Sequence, residues 1–465
     1  MWDVEHDVVV IGSGFAGLAA AIEAREAGAD VVVLEKMRNP GGNSIVSGGL
    51  VAAPGSHEQR VAGIEDSPAC LLEDMLEAGQ GLNDPDLAAL VADNACDAHR
   101  WTRDHIGVEY RAGINHIGGH SVPRTFATAL PAGVAIVRPL LARCRELGIS
   151  ILQKTCLVDL VADEAGRVTG VVARENYLFP QADSGRERRI GARRGVILAA
   201  GGFGADIPFR CLQDPRLDDG VETTNQQGAT SEVLRVALAH GATPVHLSWI
   251  QLGPWASDDE KGWGVGSLFS ILAGFPYGIM VDAVTGRRFV NELSDRKLRV
   301  DAMLAKDRNP IAVVDAVGVE HASTLDQCLK RGVVRAYDTV EDLARAAGMP
   351  AGALAATVKR YNQAFEQGID EEYGKPLLHG LKPLVHPPFY AIRLTPKVHH
   401  CMGGLRVDTR ARVLHVMTDE PIAGLYAAGE ITGGVHGASR LGSCAIPDCL
   451  VFGRIAGAEA ARALL

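Results

Sequence analysis

The chain has 465 residues, a formal net charge of −10, 47% hydrophobic residues and 22% charged residues. This composition is that of a folded globular protein of two to four domains, and it excludes a disordered or fibrous chain. The negative charge argues against a nucleic-acid-binding protein or one held on anionic lipid. The 53 glycines exceed the usual share of about 7%, so the backbone is expected to approach a ligand closely in several places.

Cysteine usage and the N-terminus indicate the compartment. The nine cysteines are dispersed and show no C-x-x-C or Cys/His zinc spacing, so we expect no metal site. Residues 1–7 are acidic rather than basic, and no stretch approaches 18 uncharged apolar residues. The sequence therefore predicts a cytoplasmic protein with reduced thiols and no membrane span.

The first 35 residues carry a dinucleotide-binding pattern. Residues 8–11 form an apolar, β-branched run that predicts a strand buried on both faces of a parallel sheet. Residues 12–17 fit G-x-G-x-x-G, residues 18–27 predict a helix, and residues 31–34 predict a second strand that ends in Glu35. An unliganded βαβ unit is the alternative to a dinucleotide site.

The pattern has a physical basis. Gly12 would make the tight turn, Gly14 would let the backbone approach a pyrophosphate, and Gly17 would let the helix pack on the strand. The phosphates would lie at the helix N-terminus, where free N–H groups favour negative charge. Glu35 would accept a hydrogen bond from a ribose hydroxyl. The pattern by itself does not choose between FAD and NAD.

Three later segments favour FAD. Glycine-rich turns follow predicted strands at residues 40–49, 195–204 and 424–430. Strand ends from such distant parts of the chain imply one long ligand across the carboxyl edge of a sheet. A flavin dinucleotide requires this return of the distant C-terminal segment more often than a nicotinamide dinucleotide does.

Four further blocks resemble one family. They are residues 287–292 (RRFVNE), Asp295-Arg296, residues 399–405 (HHCMGGL) and the glycine-rich residues 424–453. Together they resemble the soluble flavoproteins of the fumarate reductase and succinate dehydrogenase family, which includes related ketosteroid desaturase-like flavoproteins. The resemblance covers essentially the whole chain. It implies an α/β protein with a Rossmann-like, glutathione-reductase-like FAD-binding domain (residues 1–247 and 399–465) and an inserted α+β capping domain (residues 248–398).

The resemblance also implies how FAD is bound. Family members with covalent FAD carry a histidine near the position of Asn43 and Ser44, so FAD is expected to be non-covalent here. No iron–sulfur or haem segment is encoded, so the electron partner (oxygen, a quinone or a carrier protein) is expected to be separate. The predicted cofactor-binding residues are Gly12, Ser13, Gly14, Ala16, Gly17, Glu35, Lys36, Gly42, Asn43, Ser44, Gly48, Gly49, Val158, Ala200, Gly201, Gly429, Glu430, Arg440, Ser443, Ala445 and Ile446.

Interconversion of CH–CH and C=C beside a carbonyl needs hydride exchange with flavin N5, a proton-transfer residue and cationic donors for the oxygen. By resemblance, Arg296 is the proton-transfer residue, while His400, Arg440 and Gly404 hold the substrate. The alternatives are a surface ion pair for Arg296, with Asp295 or Glu292, and a buried structural histidine for His400.

The sequence departs from the family at the far end of the substrate site. Fumarate reductases carry Gln-x-His-Pro-Thr, whereas Gly253 replaces the histidine here. By ungapped counting, Ile271, Leu272 and Phe275 replace a threonine, a glutamate and an arginine of the family. A second carboxylate buried there would have no partner, which is strongly unfavourable. The predicted substrate therefore has one carboxylate or carbonyl and an apolar body.

The pKa of the proton-transfer group bears on the direction of the reaction, because a desaturase needs a base and a reductase needs an acid. Neutralising an arginine at pH 7 costs about 8 kcal/mol and deprotonating a tyrosine about 4 kcal/mol, so Tyr277 is the candidate base for desaturation. Its alternative is an aromatic residue of the core or rim. The main prediction is desaturation of a cyclic ketone acid such as 4-oxocyclohexanecarboxylate. The alternatives are an enoate reductase, a non-catalytic flavin electron carrier and an NAD-dependent dehydrogenase.

Overall fold

The structure is a computed structural model that describes residues 1–130, 132–307, 309–377 and 381–463. The strands are β1 (Val4–Ile11), β2 (Val31–Glu35), β3 (Leu50–Ala52), β4 (Thr125–Ala127), β5 (Ser150–Gln153), β6 (Thr155–Ala162), β7 (Val168–Glu175), β8 (Arg186–Leu198), β9 (Pro244–Val245), β10 (Ile250–Gly253), β11 (Ile279–Val281), β12 (Ile311–Val314), β13 (Val334–Tyr337), β14 (Phe389–Arg393), β15 (Lys397–Cys401), β16 (Gly404–Leu405), β17 (Arg412–Leu414) and β18 (Pro421–Ala427).

The α-helices are α1 (Phe15–Glu26), α2 (Gly42–Val46), α3 (His57–Val61), α4 (Pro68–Ala78), α5 (Pro85–Arg100), α6 (Val134–Glu146), α7 (Ile207–Gln213), α8 (Glu232–Ala239), α9 (Gly266–Phe269), α10 (Arg296–Leu304), α11 (Leu325–Arg331), α12 (Val340–Ala347), α13 (Ala351–Gln367) and α14 (Ala445–Arg462). Short π-helical segments follow α5 and α9, and a 3₁₀ turn precedes α11. No helix within the described ranges is long and apolar enough to cross a bilayer.

The largest sheet has the strand order β17-β18-β8-β1-β2-β5, with β6 and β7 continuing from β8. Strands β5, β2, β1, β8 and β18 are parallel, and Val9 pairs with both Val32 and Val196. All three valines are almost fully buried. Burial on both faces explains why these strands are continuous apolar runs rather than alternating ones.

Helices α1 and α14 pack against each other through small residues, on one face of this sheet. A Cβ on Gly453 would lie 2.5 Å from the carbonyl oxygen of Ala16, and a Cβ on Gly457 would lie 2.2 Å from that of Ala20. These glycines therefore let the last helix of the chain touch the backbone of the first. The contact brings the C-terminal segment to the edge of the sheet where residues 12–17 turn.

A second, antiparallel sheet has the order β11-β12-β14-β13. Its strands alternate between two apolar layers: Val281 and Val313 face α12 and α13, whereas Met280 and Ala312 face the segment that contains Phe269. All four strands lie within residues 248–398, the segment that the sequence predicts to be the inserted cap. The exact domain limits, at residues 247/248 and 398/399, stay a prediction.

The predicted α/β class is confirmed. Helix α1 begins at Phe15, three residues before the predicted start at residue 18. The reason is that Gly14, in an extended conformation, is the N-cap, so the last residues of the glycine motif already form the first helical turn.

Candidate active site

The first part of the site is a cavity of about 440 Å³ over the carboxyl ends of β1, β2 and β8, at the N-terminus of α1. Gly12 has a φ of +104°, and a Cβ there would lie 2.4 Å from the carbonyl oxygen of Ala199. Gly12 is therefore required for the turn. A Cβ on Gly17 would lie 2.0 Å from the carbonyl oxygen of Gly12, so Gly17 serves helix packing and does not line the cavity.

Glu35 lies at the end of β2, buried and facing this cavity. Its Oε2 accepts hydrogen bonds from the Ser13 hydroxyl (2.5 Å) and the Ser13 N–H (3.2 Å), and its Oε1 accepts from the Met37 N–H (2.8 Å). These bonds hold the carboxylate beside the glycine turn, where the sequence predicted a ribose contact.

The second part is an adjoining cavity between the FAD-binding unit and the cap. The two cavities share Phe15, Asn43, Ser44, Glu430 and Cys449, so they form one continuous groove. The predicted cofactor residues that line the first cavity are Gly12, Ser13, Gly14, Ala16, Glu35, Lys36, Gly42, Asn43, Ser44, Val158, Ala200, Gly201, Gly429 and Glu430. Those that line the second are Asn43, Ser44, Gly48, Gly49, Glu430, Arg440, Ser443, Ala445 and Ile446.

Several lining residues were missed from the sequence. They are Phe15, Met37, Thr155, Cys156, Leu157, Arg174, Tyr177, Gln226 and Thr230 in the first cavity, and Thr224, Asn225, Trp255, Trp263 and His399 in the second. No local motif marks most of these residues, because strand β6 and the loop before α8 reach the groove only through tertiary packing. His399 lies in the HHCMGGL block, in which the sequence predicted a substrate-binding role for His400 only.

One wall of the second cavity is cationic. Arg296 is the first residue of α10, and its Nη1 donates a hydrogen bond to Gln251 Oε1 (3.0 Å). Gln251 Nε2 in turn donates to the carbonyl oxygen of Arg440 and to the Ser439 hydroxyl, both at 3.0 Å. Arg296 is 8% exposed and forms no ion pair within the described residues, so the surface ion-pair alternative is wrong.

Burial and the repulsion between like charges lower the pKa values of the arginines on this wall. Burial, then the charges of Arg440 and Arg299, lowers the pKa of Arg296 well below its ordinary value. Burial also lowers the pKa of Arg440, whose Nε has no hydrogen-bond partner among the described residues. Two buried guanidinium groups without a paired carboxylate form a site that an anionic ligand would stabilise.

His400 lies on the same wall and is neutral. Burial, then the charge of Arg440, lowers the pKa of His400 well below its ordinary value. Its Nδ1 lies 3.5 Å from Glu430 Oε2, while Glu430 Oε1 accepts the Cys401 N–H at 3.0 Å. Burial raises the pKa of Glu430 to about 7. The pair is therefore a hydrogen-bonding group rather than a fixed ion pair near neutral pH.

Glu430→Gln is expected to change how stability depends on pH in the FAD-free protein. The raised pKa means that folded Glu430 retains a proton that the unfolded chain loses between pH 4.5 and about 7, so stability falls through this window. At 1.36 kcal/mol per pH unit, the wild type should lose about 3 kcal/mol relative to Glu430→Gln between pH 4.5 and 8, in urea unfolding. The exposed Glu366→Gln is the control, and identical slopes for both variants would contradict the assignment.

The adjoining wall is apolar and aromatic. The Trp255 indole is 1% exposed and lies 4.4 Å from the Arg296 guanidinium carbon, and its ring centroid is 4.9 Å from that of His399. A Cβ on Gly253 would lie 2.8 Å from the indole. Trp255 therefore fills the space that a side chain at position 253 would need. Trp263, stacked on His399 at 5.5 Å, and Ile271 complete the wall.

Two predicted site residues do not reach the cavities. The Tyr277 ring stacks on His321 at 3.8 Å in the cap core, and Tyr277 is not among the lining residues, so its predicted place as the base in the site is wrong. Gly404 lies in β16, where a Cβ would be 2.1 Å from the carbonyl oxygen of Ile431; it supports backbone packing and does not line the substrate cavity. Both are placed by long-range packing, which ungapped counting along the chain cannot detect.

The fold and this two-part groove define an FAD-binding oxidoreductase. Residues 7–446 match the family described as FAD binding domain. The chain belongs to this family, and the cofactor that its motifs predicted, FAD, is confirmed.

The chain is 44% identical to the acrylate reductase flavoprotein subunit of Shewanella woodyi, over 98% of this chain and 91% of that protein. Among solved structures, a flavocytochrome c3 fumarate reductase in its open conformation has a TM-score of 0.76 and 32% identity, covering 99% of this chain and 79% of that one. The 3-ketosteroid-Δ4-(5α)-dehydrogenase of Rhodococcus jostii has a TM-score of 0.76 and 28% identity, covering 99% and 98%. The protein is an FAD-dependent oxidoreductase that acts on CH–CH or C=C bonds.

Proposed function

We propose that the protein reduces the C=C bond of an α,β-unsaturated monocarboxylic acid (a 2-enoate), with acrylate as the simplest substrate. The observation that carries this proposal is the division of the cavity between one cationic wall and one aromatic wall. Arg296, Arg440 and His400 can hold one carboxylate. The indole of Trp255 fills the space beside Gly253, so a second carboxylate would be buried without a partner.

The roles of the chain's own residues follow from this division. The groove would hold FAD, which in its reduced form would supply the hydride for one carbon of the double bond. Arg440 and the neutral His400 bind the carboxylate and stabilise negative charge that develops on it. Arg296 donates the proton to the neighbouring carbon, which its lowered pKa favours. The aromatic wall excludes water from the reacting carbons.

Enoate reduction is better supported than the predicted desaturation of a cyclic ketone acid. The desaturase prediction rested on Tyr277 as a base, and Tyr277 packs in the cap core rather than in the cavity. It also rested on the cost of neutralising an arginine, which the buried position of Arg296 reduces. The 44% identical relative is named as an acrylate reductase and another, at 34% identity, as a urocanate reductase. By analogy with such relatives, a separate electron donor would reduce the flavin.

The test is a comparison of substrates with chemically reduced, anaerobic holoprotein. We expect acrylate to reoxidise the flavin, and fumarate to do so with a kcat/KM lower by about 100-fold or more, because one fumarate carboxylate would have no partner. In Trp255→Ala, the vacated space admits water and a larger substrate. The ratio of kcat/KM for acrylate to kcat/KM for fumarate should therefore decrease.

Two results would contradict this proposal. One is faster reoxidation by fumarate than by acrylate in the wild type. The other is bleaching of the oxidised flavin by 4-oxocyclohexanecarboxylate with no reoxidation of the reduced flavin by any enoate, which would restore the desaturase hypothesis. Tyr337→Ala changes a half-buried aromatic residue of the cap that does not line the site, and this variant should keep the wild-type ratio of the two kcat/KM values.

A further inference from the structure

Arg299 is a buried cation that the proposed reaction does not use directly. It lies one turn after Arg296 on α10 and is 4% exposed. Its guanidinium carbon lies 4.9 Å from the Phe275 ring centroid, and its Nε is buried with no hydrogen-bond partner among the described residues. A buried guanidinium group left in this state costs free energy, so a second component is expected at the site.

A small cavity provides room for that component. It has a volume of about 20 Å³ and is lined by Arg296, Arg299, Trp255, Gly118 and Gly442, among others. A water needs roughly 10–15 Å³ and two to four polar partners, so the cavity holds one water but not a carboxylate. The Trp255 Nε1 is also buried with no hydrogen-bond partner in the part of the chain that the structure describes, so two residues that line this cavity each carry an unused donor.

The proposed reaction requires that Arg296 be reprotonated after each turnover, and a water in this cavity could take part in that step. Each turnover transfers one proton from Arg296 to the substrate carbon, and Arg296 must recover it before the next. Leu272 and Phe275 provide no titratable group on the cap side of Arg296. The charged groups that face Arg299 are Arg296, Asp295 and Glu292.

We propose that Arg299 resupplies the proton to Arg296 through one water held in this cavity. The water accepts a hydrogen bond from Arg299 and donates one to the neutral Arg296. A proton passes from the water to Arg296 as another passes from Arg299 to the water, and Arg299, which is 4% exposed, then regains a proton from solvent. Arg299 acts through Arg296, so it is a positioning residue for the proton rather than a catalytic residue. The inference rests on the proposed function.

The electrostatics of Arg299 suit this role. Burial lowers the pKa of Arg299 to about 10, although Asp295 and Glu292 act to raise it. An arginine with such a pKa releases a proton far more readily than an exposed one. Gly118 leaves the space that the guanidinium needs, since a Cβ there would lie 3.1 Å from Arg299 Nη2.

Arg299→Met holoenzyme separates proton resupply from a structural role. The first turnover of reduced enzyme with acrylate should proceed at the wild-type rate, because Arg296 is already protonated. Steady-state kcat should fall by about 10- to 100-fold with KM unchanged, and the loss should grow as the pH rises. Arg299→Lys should recover part of the rate. Lys297→Met changes a partly exposed cation on the same helix and should behave as the wild type.

The outcomes are distinct. Equal slowing of the first and later turnovers, or no slowing of either, contradicts the proposal for Arg299, whereas a wild type inactive with every enoate contradicts the proposed function. A high-resolution crystal structure of the holoenzyme is independent of turnover. It should show one water within hydrogen-bond distance of both guanidinium groups, and a dry cavity or a bound anion would overturn the inference.

Discussion

Arg296→Ala holoprotein should retain FAD and lose enoate reduction by about 10³- to 10⁴-fold in kcat. Arg296 donates the proton in the proposed reaction, and among the described residues no other arginine, lysine or histidine side chain hydrogen-bonds to Gln251. FAD should remain bound, since the dinucleotide contacts come from the glycine turns and β-strand ends of the other unit. Anaerobic stopped-flow reoxidation and the flavin-to-protein absorbance ratio measure the two effects.

Two variants serve as references for Arg296→Ala. Lys297→Ala removes a neighbouring cation on α10 that pairs with Asp301 at the surface, and it should keep wild-type turnover. Arg296→Lys retains a proton donor but loses the planar contact with Trp255 and the reach to Gln251, so an intermediate rate is expected. Wild-type turnover in Arg296→Ala would eliminate Arg296 as the proton donor.

Arg288→Ala is expected to destabilise the protein by about 3–5 kcal/mol. The Arg288 guanidinium donates to Glu292 at 3.0 and 2.9 Å and to Asp370 at 3.1 and 2.9 Å, and it lies 5.0 Å from the ring centroids of both Tyr361 and Tyr373. Its side chain and that of Glu292 have no solvent exposure, and that of Asp370 is 3% exposed. Without the Arg288 cation, the buried carboxylates of Glu292 and Asp370 would not be neutralised, which destabilises the folded state.

Urea unfolding of the holoprotein at pH 7 measures this loss. Lys375, whose Nζ lies 3.6 Å from Glu292, cannot neutralise both carboxylates, and burial lowers its own pKa to about 8. Arg345→Ala is the matched control, because Arg345 is exposed and pairs with Asp342 on the surface of the same cap; it should cost less than about 1 kcal/mol. Similar losses in the two variants would show that the Arg288 cluster does not stabilise the cap.

The sequence was sufficient for the FAD-binding half. A buried strand, a glycine turn, a helix and an acid follow one another within 35 residues, and their spacing follows from local backbone requirements. All the predicted cofactor residues line the groove except Gly17, which packs beneath it. Arg296, His400 and Arg440 were identified through short family blocks, and the structure brings these three together.

Only the tertiary structure shows which side chains surround the arginines of the site. Tyr277 was predicted near the site by its position in the chain, but the cap sheet places its ring on His321. Gly253 indicated a lost histidine, yet the filling of that space by Trp255 is visible only in the folded chain. Burial, the charge of Arg440 from a distant segment and the charge of Arg299 on the same helix lower the pKa of Arg296, because desolvation and Coulomb interactions depend on distances through space rather than along the sequence.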